Sequence, residues 1–207
     1  MLSTRLPAQV AQLVEQWTEN PCAPAAERAN DLPPPIPGAR WIPVSFGLFA
    51  LVDEQDFPEV SKHSWSRSSC QAGTDLYAKA KIGSATVRLH RFVWSLRGLP
   101  MPESIDHRDM DGLNCRLGNL RGATRSQNNA NRLVTPRSTT GFKGVARHRL
   151  KYRAQIAVDG KSIFLGCYSD AEAAARAYDA AAVTHFGEFA RLNFPADGFL
   201  PARTVRR

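Results

Sequence analysis

The sequence contains no long apolar run and no paired cysteines. None of its hydrophobic stretches approaches the roughly 20 residues that a membrane-spanning helix requires, and its first residues lack the charged and then apolar pattern of a signal peptide. Cys22, Cys70, Cys115 and Cys167 form no CxxC pair, so the sequence favours neither a zinc ribbon nor a disulfide framework. We therefore expect a protein of the reducing cytosol with no membrane partner.

Acidic residues are fewer than basic ones. The 207 residues include 27 Lys and Arg against 19 Asp and Glu, which gives a formal net charge of +8. Such a charge attracts polyanions, of which nucleic acid is the commonest, and it favours a nucleic-acid partner over the alternative that the charge only aids solubility. With 43% hydrophobic and 22% charged residues, the composition is typical of a soluble globular protein and excludes a disordered or fibrous chain.

Proline-rich and polar segments divide the chain. Apolar residues from Leu6 to Trp17 lie at helical spacing and predict a short amphipathic helix. The prolines of residues 31–38 predict a stiff linker, because proline fixes φ and removes a hydrogen-bond donor. Short apolar runs between residues 41 and 87 predict β-strands, and Leu89–Leu96 predicts a helix with one apolar face. A second linker is predicted within residues 131–140, which lack a periodic apolar face.

The residues that could perform chemistry follow that helix. Asp106-His107 is typical of a strand end, and Thr124-x-x-Gln127 is a capping box that fixes the start of a helix bearing Asn128. Cutting a phosphodiester needs an activated water and a cation that takes up charge on the phosphate. His107 can accept a proton near neutral pH. Asp106 and Asn128 offer oxygen ligands of the kind that suit Mg²⁺.

This order of parts resembles the HNH endonuclease family. The shared elements are a strand ending in Asp-His, a Gly- and Asn-rich turn, a strand that carries Asn-Leu-Arg, and a helix with a further polar residue. The resemblance implies a ββα-metal fold in which Asp106 and Asn128 bind one divalent metal ion, Mg²⁺ or else Mn²⁺. It also implies that His107 is the general base and that Asn119 holds the loop between the strands. The sequence departs from the family where Cys115 replaces a usual asparagine.

Each of these residues also has a plainer explanation. Taken singly, they could be turn aspartates, a surface histidine and polar residues at a helix end, and it is the ordered set that favours a nuclease. Because adjacent residues of a regular strand point to opposite faces, the strand must end or kink at His107 if both side chains serve one site. Second-rank candidates are His90, Asn131 and Arg132. His90 could touch a phosphate or only pack beside the hairpin.

Residues Gly141 to Phe194 predict three short strands followed by one helix. Asp159-Gly160 between alternating runs is a strong hairpin signal, and the alanines from residue 171 onwards give the helix a small-residue face. Period-two alternation directs Ile156, Ile163 and Leu165 toward the helix and leaves polar side chains outward. The side chains that could contact DNA are Lys143, Arg147, His148, Arg149, Lys151, Arg153, Gln155, Ser162 and Phe164.

This module resembles the plant ethylene-response-factor type, or APETALA-two, DNA-binding domain. The match rests on Gly144-Val145, Lys151-Tyr-Arg-Ala-Gln-Ile156, Phe164-Leu-Gly-Cys-Tyr168, Glu172-Ala-Ala-Ala-Arg-Ala-Tyr-Asp179 and Phe186-Gly-Glu-Phe-Ala-Arg-Leu-Asn193. The resemblance implies that the sheet enters the major groove and that its outward residues contact bases and phosphates. It does not carry over the plant base preference, because Ala146 and Ala157 stand where arginines are usual.

The sequence therefore predicts an α+β protein: a ββα-metal (HNH) nuclease domain plus a small three-stranded antiparallel sheet packed on one helix. The predicted segments are an N-terminal amphipathic helix at 1–30, a proline-rich linker at 31–40, the HNH domain at 41–132, a linker at 133–140, the APETALA-two-like domain at 141–195 and a basic tail at 196–207.

The predicted function is metal-dependent hydrolysis of phosphodiester bonds in double-stranded DNA, with the C-terminal domain raising the effective concentration of the DNA. This division resembles that of free-standing homing endonucleases of phages and bacteria, which implies the cytoplasm of a bacterium or of a phage-infected host. We expect a monomer that acts on no small-molecule substrate. The alternatives are a DNA-binding transcriptional regulator with an inactive nuclease half, and an RNA-binding or RNA-processing protein that uses the same basic surface.

Overall fold

The computed structural model describes residues 33–69, 76–134 and 138–195. Contacts along the chain group these residues into two units: the first holds the chain up to Leu99 together with Asp111–Leu117, and the second holds Pro100–Met110 and the chain from Gly118 onwards. The predicted N-terminal helix and the basic tail lie outside the described residues. None of the described helices combines the length and the apolar character that crossing a membrane requires.

Within its described residues, the first unit contains two small antiparallel sheets and two helices. Its elements are β1 (Ala39–Val44), β2 (Leu48–Asp53), α1 (Phe57–Val60), β3 (Ser66–Ser69), β4 (Leu76–Ile82), β5 (Ala85–Arg88) and α2 (Leu89–Leu96). β1 pairs with β2, and β4 lies between β3 and β5. The predicted helix at Leu89–Leu96 is confirmed, and it buries Leu89 and Val93 on one face, as an apolar stripe at helical spacing requires.

The loop Asp111–Leu117 belongs to this first unit. Its backbone pairs with β2, since Leu51 N–H donates to the Leu113 carbonyl at 2.8 Å and Cys115 N–H donates to the Leu51 carbonyl at 2.7 Å. Leu117 N–H donates to Asp53 Oδ2 at 2.9 Å. Cys115, which stands where the family usually has an asparagine, is fully buried. Main-chain hydrogen bonds hold the loop at this position.

The second unit contains a ββα segment followed by a three-stranded antiparallel sheet and a long helix. Its elements are β6 (Ser104–His107), β7 (Leu120–Ala123), α3 (Arg125–Ala130), β8 (Val145–His148), β9 (Lys151–Val158), β10 (Lys161–Tyr168), α4 (Ala171–Phe186) and a 3-10 turn at Gly187–Phe189. β6 pairs with β7, and the other sheet has the order β10-β9-β8. The predicted α+β fold class is confirmed.

Two local signals in the sequence correspond to local structure. The Thr124 hydroxyl accepts from Gln127 N–H at 3.2 Å, and the Gln127 side-chain oxygen accepts from Thr124 N–H at 2.9 Å, so the predicted capping box is present and the helix begins at Arg125. Asp159 and Gly160 both take positive φ, at 49° and 79°, which is the conformation that a two-residue hairpin of this type requires.

A β-bulge in β10 was not predicted. Phe164 pairs with Gln155 and Gly166 pairs with Ala154, so Leu165 is an extra residue in the strand. Strict period-two alternation therefore stops at Phe164, because a bulge resets which face the following side chains occupy. Ile163 lies opposite the buried Ile156, on the side predicted to face the helix, and is 36% exposed. Leu165, also predicted to face the helix, packs against both core clusters.

The helix α3 and the C-terminal sheet and helix share one apolar core. Ala130 of α3 is buried in a cluster with Ile156, Tyr178, Ala182 and Phe186. The compact units thus divide the chain differently from the predicted domain boundaries, with residues on both sides of the predicted linker 133–140 in one unit. Those boundaries stay a prediction.

Two hydrogen bonds reinforce this packing around α3. Asp159 N–H, in the hairpin turn of the C-terminal sheet, donates to the Ser126 hydroxyl at 2.9 Å. Arg191 N–H donates to the Ala130 carbonyl at 3.1 Å. Both ends of the six-residue helix are therefore attached to the C-terminal part of the chain.

Candidate active site

The strand β6 ends at the Asp-His pair. Asp106 is 3% exposed and His107 is 5% exposed, and β6 stops at His107. The sequence left open an end or a kink of the strand at His107, and the structure shows an end. In the hairpin register Asp106 lies opposite Arg121, and His107 lies opposite Leu120.

The Asp106 carboxylate is held by two side chains. Arg121 Nε and Nη2 each lie 2.8 Å from Asp106 Oδ2. Asn131 Nδ2 donates to Oδ1 at 3.0 Å and to Oδ2 at 3.2 Å, and also to the His107 carbonyl at 2.8 Å. Asn131, a second-rank candidate in the sequence, therefore contacts both residues of the Asp-His pair.

Arg121 is a site residue that the sequence analysis did not single out. It is 8% exposed, its Nη1 donates to the Glu188 carbonyl at 2.9 Å, and its guanidinium lies over the Phe189 ring, 3.9 Å from the centroid. Its position opposite Asp106 follows from the hairpin register, which was the one signal available. No local signal pointed to Glu188 or Phe189.

The Glu188 carboxylate connects the same region to the residue after His107. Its Oε2 accepts from Arg108 Nη1 at 2.7 Å and lies 3.5 Å from Arg121 Nη1. The hydrogen bond from Arg108, with the charges of Arg108 and Arg121, lowers the pKa of Glu188 below its usual value. The carboxylate therefore stays charged between the two guanidinium groups.

Asn128 lies on α3 beside β6. Its Nδ2 donates to the Ser104 hydroxyl at 2.8 Å, and Ser104 precedes Asp106 by two positions on β6. Residues two apart on a strand share a face, so the carboxamide of Asn128 lies on the face of β6 that carries Asp106. With its nitrogen bound to Ser104, the oxygen of that carboxamide is the atom that could bind a cation.

Asn119 bonds across the loop between β6 and β7. Its Nδ2 donates to Asp109 Oδ1 at 2.9 Å, and its Oδ1 accepts from Asp109 N–H at 3.2 Å. The Asn119 carbonyl also accepts from Arg108 N–H at 2.9 Å. These bonds fasten the two residues that follow His107.

The oxygen donors of this region are of the kinds that divalent cations such as Mg²⁺ bind. A carboxylate has about four lone-pair positions, and the bonds to Asp106 place the Arg121 donors on Oδ2 while Oδ1 accepts from Asn131 alone. A lone pair of Oδ1 could therefore be offered to a cation, and Asn128 on α3 could offer its carboxamide oxygen. Within the described residues no three His, Cys, Asp or Glu side chains cluster as a metal site.

The remaining second-rank candidates are placed differently. His90, in the first unit, is buried, and its ring packs edge-on against Tyr77 with centroids 5.4 Å apart. Arg132 has an exposed side chain, and its carbonyl accepts from Lys143 Nζ at 2.7 Å. The packing role considered for His90 agrees with this contact.

The C-terminal sheet presents most of the predicted DNA-contacting side chains on one face. Cross-strand partners point to the same side of a sheet, and Gln155 lies opposite Phe164, while Lys151 lies opposite His148. Phe164 is 63% exposed. We call these residues the outward face: His148, Lys151, Arg153, Gln155, Ser162 and Phe164.

Three of the predicted contacts lie off that face. Arg147 pairs with Tyr152 on the opposite side of the edge strand, although it is exposed, and Arg149 lies in the turn between β8 and β9. Lys143 Nζ donates to the Ala130 and Arg132 carbonyls. Burial and the neighbouring Arg191 lower the pKa of Lys143 to about 8. Its ammonium thus caps the end of α3, which removes it from the set that faces outward.

Comparison with known proteins identifies similarities in both parts of the chain. The model of a family described as HNH endonuclease matches residues 87–130, the segment that contains Asp106, His107, Asn119 and Asn128. An uncharacterized HNH endonuclease of Acanthamoeba polyphaga mimivirus is 31% identical over 152 residues, which covers 71% of this chain and 75% of the viral protein.

The plant relatives match a shorter segment. Two AP2-like ethylene-responsive transcription factors of Arabidopsis thaliana are 39% and 37% identical over 70 residues, or 28% of this chain. The matches span 16% and 23% of the plant proteins. The similarity therefore concerns one module of those proteins and supports an AP2-like DNA-binding domain here.

Proposed function

Since the chain belongs to the HNH endonuclease family, we propose that it hydrolyses phosphodiester bonds of double-stranded DNA with the help of one divalent metal ion. The observation that carries this proposal is the burial of Asp106 and His107 together at the end of β6.

In this proposal His107 is the general base. Its imidazole accepts a proton from the water that attacks the phosphorus, a role that imidazole groups often have in catalysis. The hydrogen bond from Asn131 to the His107 carbonyl fixes the backbone that carries the ring. Asn119 supports the same geometry through its bonds to Asp109, because rigid placement of the base lowers the cost of reaching the transition state.

Asp106 and Asn128 are proposed to hold the cation, Mg²⁺ or else Mn²⁺. A carboxylate and a carboxamide oxygen leave most positions of an octahedral ion for water and phosphate. A cation bound there would take up charge that develops on the phosphate and on the leaving oxygen. Arg121 balances part of the Asp106 charge and so weakens the attraction of this carboxylate for a cation. The proposed ion would therefore bind reversibly.

The outward face of the C-terminal sheet is proposed to bind the duplex. A β-ribbon fits the major groove, arginine can pair with a guanine edge, and the exposed Phe164 ring offers an apolar contact. The net charge of +8 supplies the general attraction to phosphate. The homing role, the monomeric state and the cytoplasmic location stay predictions.

The proposed activity is tested by incubating the chain with supercoiled plasmid. We expect nicked or linear DNA in the presence of Mg²⁺ or Mn²⁺, and none when EDTA removes the ion, because the cation is part of the proposed site. Cleavage that continues in EDTA would show that the metal assignment is wrong. Retention of duplex DNA without cleavage under any divalent ion would favour the regulator, and tighter binding of RNA at the same salt concentration would favour the RNA-binding alternative.

Replacing Arg153 on the outward face is expected to weaken DNA binding. Arg153→Ala should cost about 1–3 kcal/mol of binding free energy if the side chain reads a base, and reduce the slope of log K against log salt by about 1 if it contacts a phosphate. Fluorescence anisotropy at several salt concentrations measures both quantities. Arg40→Ala is the matched control, since it removes an exposed arginine that is paired with Glu54 in the first unit. Equal affinity of the two variants would exclude the outward face as the binding surface.

A further inference from the structure

Two sets of contacts connect the Asp106 carboxylate to the C-terminal part of the chain. In the first, the turn Gly187–Phe189 holds Arg121, and Arg121 holds Asp106. In the second, Asn131 at the end of α3 holds Asp106, and α3 is anchored by Ala130 in the core beneath the C-terminal sheet. Both sets of contacts begin in the module that resembles a plant DNA-binding domain.

We propose that the turn Gly187–Phe189 completes the nuclease centre, with Arg121 as a positioning residue that Glu188 and Phe189 orient toward Asp106. This inference rests on the proposed role of Asp106 as a metal ligand. It differs from a nuclease whose C-terminal module only tethers DNA, because here the same module would set the geometry of Asp106, the residue proposed to hold the metal.

The contacts of Arg121 explain why it needs this support. A guanidinium that donates to one carboxylate oxygen through two nitrogens needs a defined orientation, and Arg121 has a long side chain with several rotamers to restrict. Stacking on Phe189 restrains that plane, and the Glu188 carbonyl accepts from the nitrogen that does not face Asp106. The charge of Arg121 is balanced by Asp106 on one side and by Glu188, 3.5 Å away, on the other.

We therefore expect the DNA-binding face and the nuclease centre to keep fixed positions relative to each other. Ser126 and Ala130 of α3 bond to the hairpin turn and to Arg191 of the C-terminal part. The outward face and the Asp-His pair therefore belong to one packed unit, and a duplex held on that face meets the nuclease centre at a set distance.

The test compares two phenylalanine variants in the full-length chain. Phe189→Leu keeps an apolar side chain but removes the ring under Arg121. Phe194→Leu is the matched control, because Phe194 also lies under an arginine, Arg176, at 4.6 Å from its ring centroid, yet packs in the other core cluster of the same unit. Arg121→Lys is the second variant, which keeps the charge and loses the paired geometry.

Three quantities are measured for each variant. They are the rate of plasmid nicking, the binding of Mn²⁺ in the absence of DNA by electron paramagnetic resonance, and the affinity for duplex DNA in EDTA. For Phe189→Leu and Arg121→Lys we expect a nicking rate about tenfold or more below wild type and weaker Mn²⁺ binding, as for other residues that orient a metal ligand. The affinity for DNA in EDTA should match wild type, and Phe194→Leu should match wild type in all three.

Other results would overturn the inference. If wild type cleaves and both Arg121→Lys and Phe189→Leu cleave and bind Mn²⁺ equally well, the positioning role is wrong while the nuclease stands. If Phe194→Leu loses as much activity as Phe189→Leu, the losses reflect general destabilisation and the positioning role is again wrong. If the wild-type chain neither cleaves DNA nor binds Mn²⁺, the proposed function fails and the inference fails with it.

Discussion

Replacing His107 by alanine is expected to slow DNA nicking by about 10²–10⁴-fold, the usual contribution of a general base. The variant leaves Asp106, Asn128 and the outward face in place, so Mn²⁺ binding and the affinity for duplex DNA in EDTA should persist. The measurement is the initial rate of conversion of supercoiled plasmid, at saturating metal and at several enzyme concentrations.

The matched control for this variant is His185→Ala. His185 lies on α4 with an exposed side chain and is remote in sequence from the Asp-His pair. Its removal should leave the rate of nicking unchanged. A His107→Ala protein that is folded and binds DNA, yet cuts as fast as wild type, would remove His107 from the mechanism.

The largest effect on stability is expected at Gly144. This residue has φ +72°, and an added Cβ would lie 1.9 Å from Cδ2 of Tyr178. Tyr178 belongs to the core cluster that also contains Ala130, so the clash falls where α3 meets the C-terminal module. Gly144→Ala should therefore lower the free energy of unfolding by about 3–5 kcal/mol, which combines a left-handed backbone with overpacking.

Gly141→Ala separates the two causes of that loss. Gly141 has a similar φ of +75°, but an added Cβ meets nothing within 4 Å. Only the backbone cost of about 1–2 kcal/mol should remain. Thermal unfolding followed by circular dichroism compares the two variants, and equal shifts in Tm would show that the approach of Tyr178 to Gly144 does not matter for stability.

Part of the site could be predicted from residues that are close in the sequence. Thr124 and Gln127 predict the start of α3, and Asp159-Gly160 predicts the hairpin. Each prediction depends only on local hydrogen bonds or local backbone angles. The Asp-His pair could likewise be placed at a strand end, since neighbours on a continuing strand cannot share a site. The β-bulge at Leu165 was not predicted, because the alternation of polar and apolar residues in β10 does not indicate an extra residue.

Other parts required contacts between distant segments. Lys143 was predicted to contact DNA as one of several basic residues, and its binding to the Ala130 and Arg132 carbonyls depends on how the chain folds back after residue 138. The partners of Arg121 are further apart still, since the hydrogen bond to the Glu188 carbonyl spans 67 positions. Charge and periodicity describe such residues without identifying their partners.

The sequence alone determined the family, the α+β class and the Asp-His pair with its capped helix, because each depends on the order and spacing of neighbouring residues. The tertiary structure alone decided that Arg121 binds Asp106 and is itself contacted by Glu188 and Phe189, and that α3 shares a core with the C-terminal sheet. The physical reason is that burial and ion pairing depend on contacts between segments that are distant in the sequence. Local propensities do not specify those contacts.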